Sequence, residues 1–443
     1  MHSSANTTTG ELATNDGKAL SAVAFSCFGW AFDLFDLFIL LYVAPVLAKV
    51  FFPSTSPMLS LTGVYAAFTA TLLMRPVGAI IFGPYADRRG RRKAMIIAAI
   101  GVGLATAAMG ALPTIEQIGI AAPLLFIALR LTQGIFMGGM VASTHTIGTE
   151  SISPRWRGLT SGIITGGGSG LGKLLASAIF LLTSWCFPGA AFEAWGWRFM
   201  FFSGLLSSAL GLLIFLKLHE SPMWEGQRLL DETQKRSSAP SAPLKTLLRG
   251  GFLGTVAASV VLTFAGGGMS YLTSGYLPVF LRIVNGIPRT TVASILLLSA
   301  LSVIISSVLA GLLTDLIGRK KAIVIYGVCS TLILPSMYLV LGHVSSILVA
   351  AAITIVLSGV GTFCYAPLLI ILNERFPTRL RSTGTSVSWN VGFSAGGALP
   401  VLVSFLSKQA LDLPSILAVT TCLIGLIYLI TASLSQETGG EMN

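Results

Sequence analysis

Charge is what this sequence has least of. Only 10% of its 443 residues are Asp, Glu, Lys or Arg, against roughly 25% in a soluble globular protein. An ordinary soluble enzyme is excluded. Paired cysteines are absent too: Cys27, Cys186, Cys329, Cys364 and Cys422 stand singly in apolar stretches, which suits neither a disulfide framework nor a metal site. They read as small buried hydrophobes, and no metal is expected. Residues 1–19 are polar and the first apolar run is far longer than a signal-peptide core, so no cleavable signal is expected. The 48 glycines follow no Gly-X-Y period, and collagen is excluded with them.

What is present is apolar length. Crossing a bilayer core takes about 20 mostly apolar residues in a helix, and twelve such runs can be marked. They are 20–48, 61–84, 94–112, 120–147, 159–183 and 197–217, then 251–281, 291–313, 322–342, 346–371, 384–406 and 414–433. The expected fold class is an all-α membrane protein of twelve transmembrane helices in two six-helix bundles. Residues 20–217 and 250–434 form the bundles, 218–249 a cytoplasmic central loop, and 1–19 and 435–443 cytoplasmic tails.

The net charge of +11 comes from 28 basic and 17 acidic residues. If the N-terminus is cytoplasmic, 20 of the basic residues fall in cytoplasmic segments and only Lys49, Arg282, Arg289 and Lys408 in the opposite loops. That split matches retention of positive charge on the cytoplasmic side. The excess is therefore topological, and no nucleic-acid partner is expected. The partners expected are the lipid bilayer and a small solute, with the chain acting as a monomer.

The two halves share landmarks. "GPYADRRGRRK" from Gly83 follows the second run and "GLLTDLIGRKK" from Gly311 the eighth, which sets Asp87 and Asp315 228 residues apart. Glu150 precedes Arg157 by seven residues, as Glu374 precedes Arg381, and the two glutamates are 224 apart. Nearly equal offsets indicate an internal duplication, the signature of a transporter with its site between two parallel halves.

Membrane-depth charge points to that site, because an unpaired charge there costs at least about 2.5–3.5 kcal/mol and normally marks a pathway. Among the acids only Asp33 and Asp36 lie deep in a run. Asp33 is 15 residues beyond Lys18, roughly 22 Å along a helix. Two acids one turn apart, both buried, favour holding a proton. Arg75, Arg130 and Lys173 are the candidate cations, so these five groups carry one net positive charge, and two once an acid is protonated. Such a pocket binds an anion more tightly when a proton is aboard, and the coupling is reciprocal. Gln133 lies one turn beyond Arg130 in "RLTQG".

The second half has no comparable charge. Its candidate substrate contacts are Tyr271 and Tyr276 in "FAGGGMSYLTSGYLP", Tyr365, Trp389 and Asn390. "GGGSGLG" from Gly166 follows no strand and reads as close helix packing. His145 reads as a hydrogen-bonded interior residue, and no Ser-His-Asp order supports catalysis, so the chain is not expected to be an enzyme.

The Gly83, Asp87, Arg88, Gly90, Arg91, Arg92 pattern between the second and third runs resembles the loop signature of the major facilitator superfamily. The resemblance covers residues 20–433. Within it, "FDLFDLFILLYVAPVLAKVFFP" from Phe32, "RPVGAIIFGPYADRRGRRKA" from Arg75, "ESP" at Glu220 and "ERFPTRLRSTGTSVSWNVG" from Glu374 are similar to metabolite–proton symporters. Those carriers import shikimate, 2-oxoglutarate, citrate or compatible solutes, and the chain is similar also to lactate and sialate carriers. The resemblance implies a cytoplasmic gate made of the loop signature with Glu150, Arg157, Asp315, Arg319, Glu374 and Arg381, and a coupling role for Arg130. It implies the bacterial inner membrane. Members usually carry an acid where this chain has Met140, which shifts the coupling role to Asp33 and Asp36. The Gly-Pro pair that drug antiporters commonly show in span five is missing. The expected function is proton-coupled import of a small mono- or dicarboxylate, with protons as coupling ion and no other cofactor. The alternatives are a zwitterionic osmolyte such as betaine or proline, or a non-transporting membrane sensor.

Overall fold

The computed structural model describes residues 5–89, 91–150, 152, 154–217, 247 and 251–438, with side chains omitted at 5–19, 83–84, 86–89, 91–92, 140–150, 154, 207, 214–217, 378–379 and 382. Gly90, the central loop at 218–246 and the side chains of Gly83, Asp87, Arg88, Arg91, Arg92, Met140, His145, Glu150 and Arg379 thus lie outside the described residues.

Twelve helices among the described residues are long and apolar enough to cross a membrane. They are α1 (Leu20–Phe51), α2 (Pro57–Phe82), α3 (Lys93–Ala111), α4 (Ala121–Gly139), α5 (Arg157–Cys186), α6 (Phe192–Leu213), α7 (Leu253–Ile283), α8 (Arg289–Ile317), α9 (Arg319–His343), α10 (Ile347–Arg375), α11 (Thr383–Leu406) and α12 (Ala410–Leu434). The helix of α1 continues back to Ala5 through the polar N-terminal segment. Most boundaries fall within a few residues of expectation. Among the starts α6 differs most, beginning at Phe192 rather than 197. Glu193 reads as loop in the sequence, yet Lys49 and Arg289 neutralise it at the helix end.

In the first half α2 packs on α4, α3 on α6 and α1 on α5; in the second α7 packs on α11, α8 on α10 and α9 on α12. The halves meet along two seams, α5 on α8 and α2 on α11. A shift of six helices turns one seam into the other, as the duplication requires.

The α5–α8 seam is close because α5 has a glycine at every fourth residue. Side chains added at Gly158 or Gly162 would meet the Asp315 carboxylate or the Ser307 and Gly311 backbone, and at Gly166 and Gly170 they would meet Ser307 and Ile304. Gly168 and Gly172 serve the same purpose against Cys27, Trp30, Ala31 and Phe35 of α1. Gly162→Val should keep the seam from closing, an overpacking cost of about 1–3 kcal/mol. The expected readout is a membrane-inserted protein whose uptake falls at least tenfold, and uptake equal to the parent would contradict it.

The second half breaks its helices where it faces the first. α7 opens into a wide turn at Tyr271–Gly275, α10 is interrupted between Phe363 and Leu368, and α11 between Gly396 and Leu399. Pro367 and Pro400 supply no backbone N–H there. Irregular backbone at membrane depth must find partners inside the protein. Here the first half provides them: Thr165 Oγ1 donates to the Ala366 carbonyl (2.6 Å) and Thr69 Oγ1 to that of Gly397 (2.7 Å).

Candidate functional site

The five membrane-depth charges are all buried, but they do not form one constellation. Asp33 and Asp36 leave α1 about 60° apart, the consequence of a three-residue step at 3.6 residues per turn, and each meets a different base. Arg75 Nη2 donates to Asp33 Oδ2 at 2.8 Å, with both side chains under 5% exposed. The pair is joined at one point, and Asp33 Oδ1 and Arg75 Nε have no hydrogen-bond partner among the described residues. Tyr271 and Tyr365 of the second half lie within electrostatic reach of it.

Asp36 turns into the first bundle. Its Oδ1 lies against Gly204 of α6, beside Thr106 of α3, and it faces Arg130 electrostatically. Arg130 Nη1 donates to Gln133 Oε1 (2.7 Å) and Gln133 Nε2 to Thr106 Oγ1 (2.7 Å). The Phe126 and Phe201 rings flank the guanidinium at 5.4 and 5.7 Å. Asp36, Gln133, Phe126 and Phe201 all belong to the first half, so Arg130 is engaged from within that half.

Lys173 stands apart. Its ammonium donates across the halves to Ser274 Oγ in the wide turn of α7 (2.8 Å) and lies 5.0 Å from the Phe38 ring centre. Among the described residues no carboxylate lies within 4.0 Å of it. Ser274 carries no signal in the sequence as a lysine partner; only the folded turn brings it there.

The second-half candidates line the seam as aromatics. Trp30 Nε1 donates to the Tyr365 hydroxyl at 2.7 Å, while the Trp389 ring stacks on Phe393 at 4.1 Å and meets Trp30 edge-on at 5.5 Å. Tyr271 stands between Phe68 and Phe393. Tyr276 stacks on Tyr65 and bonds Ser404. Trp389 Nε1 and Asn390 Oδ1 are buried without a hydrogen-bond partner among the described residues, whereas Asn390 Nδ2 is engaged by Ser386 of its own helix.

At the end bearing the loop landmarks the halves are latched. Asp315 accepts the backbone N–H groups of Gly158 (2.9 Å) and Leu159 (2.7 Å), the first turn of α5, and an N–H of Arg319 (2.7 Å). A carboxylate at a helix N-terminus is favoured by the exposed N–H groups and the helix dipole. Arg319 also holds Glu374 at 3.0 Å, while Arg381 donates to the Asn373 carbonyl. Arg157, at the start of α5, keeps its Nε without a hydrogen-bond partner among the described residues.

The sequence reading missed the segment after α12. Glu437 accepts the N–H groups of Arg319 (2.8 Å) and Lys320 (3.1 Å), and the Thr438 hydroxyl donates to Glu374 at 2.5 Å. A polar tail gives no periodic signal by which this could be found. Glu437→Gln should weaken the cap by about 1 kcal/mol and speed hydrogen exchange of the Arg319 and Lys320 amides about fivefold. Unchanged exchange would remove the tail from the latch.

At the opposite end the halves part around a cleft of about 390 Å³.

Comparison with known proteins agrees with this architecture. The chain is 30% identical over 392 residues to the Escherichia coli inner membrane metabolite transport protein YhjE, covering 87% of each chain. It is 26% identical to the Escherichia coli proline/betaine transporter, covering 94% of this chain and 84% of that one. A solved structure of the proton:xylose symporter XylE superposes with a TM-score of 0.76 at 17% identity, over 97% of this chain and 98% of the other. The profile of the Major Facilitator Superfamily matches residues 19–401. With its twelve spans, paired halves and latched seam, the chain belongs to the Major Facilitator Superfamily and is a multi-pass membrane transporter.

Proposed function

We propose that the protein is a proton-coupled symporter importing a small organic anion by alternating access, with the latched end and both termini cytoplasmic. The observation that carries this reading is Lys173: a buried ammonium at the seam, held by one hydroxyl of the other half. A buried charge without a partner of opposite sign is costly, and a substrate carboxylate supplies that partner while touching both halves. Coupling falls to Asp33. A proton on its carboxyl weakens the hold on Arg75 and frees a guanidinium whose fork suits a carboxylate. Proton and anion then favour each other's binding by the same factor. The inner membrane is the expected location, in keeping with the name of the YhjE relative.

A second reading keeps the carboxylate and adds a cation. Trp30, Tyr365, Trp389 and Phe393 gather beside the Asp33–Arg75 pair, and aromatic faces bind quaternary ammonium groups. The relatives named as proline/betaine transporters favour a zwitterion of that kind.

Purified protein in liposomes decides between them. Under an inward acid gradient, labelled mono- and dicarboxylates should accumulate about tenfold per pH unit for each coupled proton, since one unit is worth about 1.4 kcal/mol. Excess betaine and proline should not compete. Gradient-driven uptake of labelled betaine or proline with no carboxylate uptake selects the zwitterion, and uptake indifferent to the gradient removes proton coupling.

A further inference from the structure

The cleft at the unlatched end is lined by both halves and by an uneven set of charges. Tyr42, Lys49, Ser54 and Glu193 come from the first half, Arg282 and Arg289 from the second. Three cations therefore face one carboxylate. Glu193 lies between two of them, 3.3 Å from Lys49 and 3.8 Å from Arg289, and so ties the halves together across the opening. Arg289 is further placed by the Phe192 ring, 4.0 Å away, and by the Gly189 carbonyl at 3.4 Å. Arg282 donates to the Ile287 carbonyl (2.8 Å) and lies close enough to Arg289 for the two guanidinium groups to repel. The volume, about 390 Å³, is within the range of small-molecule sites.

Lys49 and Arg289, sharing one carboxylate with Arg282 close by, attract a further anion. The same cations make Glu193 replaceable, because a free carboxylate offers them the group they already hold. We propose that this cleft is a recruitment site for carboxylates on the way to the seam. The arriving anion takes the place of Glu193 between Lys49 and Arg289, gains Arg282 as a second guanidinium, and releases the ion pair that Glu193 makes across the halves. The ligand class rests on the organic-anion reading above; the positive potential of the cleft does not. Electrostatic focusing in a cleft of one sign raises local substrate concentration and the rate of capture, and Glu193 sets how readily the cleft yields its cations.

The test places a thiol in the exposed lining, Ser54→Cys, in a chain whose exposed Cys186 is replaced by Ser. Anionic and cationic methanethiosulfonate reagents are applied from the cleft side, with labelling of the same chain lacking Ser54→Cys subtracted. The anionic reagent should be favoured, and Arg282→Gln with Arg289→Gln should lower that preference about fivefold, as the loss of two nearby charges in a wet cleft requires. Succinate should protect the thiol, and Glu193→Gln should lower the protecting concentration about fivefold by removing the internal competitor. Equal labelling by both reagents overturns the site. Protection left unchanged or weakened by Glu193→Gln overturns the exchange, since a merely structural Glu193 would behave so. Carboxylate uptake without protection by any carboxylate overturns this proposal and leaves the function standing. Anion-selective labelling with neither uptake nor protection overturns the organic-anion reading itself.

Discussion

Asp33→Asn is expected to abolish proton-driven accumulation, lowering it at least a hundredfold, while exchange of substrate across the membrane continues at a reduced rate. The amide keeps the shape of the carboxyl and can still accept from Arg75, but it cannot take up and release a proton. It also leaves the Arg75 guanidinium buried without an anion. Removing one partner of a buried ion pair costs about 3–5 kcal/mol, so lost folding must be separated from lost coupling. Asp33→Asn with Arg75→Gln replaces the pair by two neutral amides and should recover expression and thermal stability without recovering accumulation. Asp36→Asn serves as contrast. Asp36 faces Arg130 inside the first bundle, so its loss should slow the transport cycle more than it uncouples it. Counterflow and gradient-driven uptake, measured side by side, read the two effects. Accumulation by Asp33→Asn at the parent level, with intact protein, would falsify the carrier assignment.

The contrast between these two aspartates also marks how far the sequence could be read. Their depth follows from counting residues along α1, and the costliness of charge there identifies them as exceptional. Their partners do not follow, because a 60° difference in direction on α1 becomes a choice of neighbour only when α2, α4 and α6 are in place. The five charges do not share one set of contacts: Arg75 is engaged by Asp33, Arg130 faces Asp36, and Lys173 donates to Ser274. The glycines from Gly166 to Gly172 of α5 were legible as close packing because they lie within a membrane span with no strand before them, and the structure sets Gly166 and Gly170 against α8 and Gly168 and Gly172 against α1. The breaks in α10 and α11 were not, although Pro367 and Pro400 stand in the sequence, since a proline tells where a backbone bond is missing and not which half will supply it. Glu193 and Glu437 escaped notice for a common reason. Both lie in segments that read as polar boundary, and their roles arise from bases contributed by distant helices.

Asp315→Asn should have the second largest effect, on conformation rather than coupling. The latch is small: one carboxylate accepting two N–H groups from the first turn of α5, with Arg319 and Glu374 behind it. Hydrogen bonds to a charged acceptor contribute about 1.5–3 kcal/mol each, and the Asp315 side chain is only 6% exposed. Losing the charge, and one acceptor where the amide presents N–H to N–H, should cost about 2–3 kcal/mol of the latched state. That shifts the balance between latched and open forms about 30- to 150-fold, enough to make the open form prevail unless the latched one is favoured by more than this. Spin labels on α5 and α8 near Leu159 and Asp315 should show the distance between these helices lengthening at this end, and labels across the cleft should show it shortening. Because the two ends are alternatives, the two changes must occur together. Asp315→Glu should restore most of the latched population, as the charge returns on a longer arm. A lengthened distance at the latch with the cleft unmoved would mean that the helix ends have frayed locally and that Asp315 does not govern the rocking of the halves.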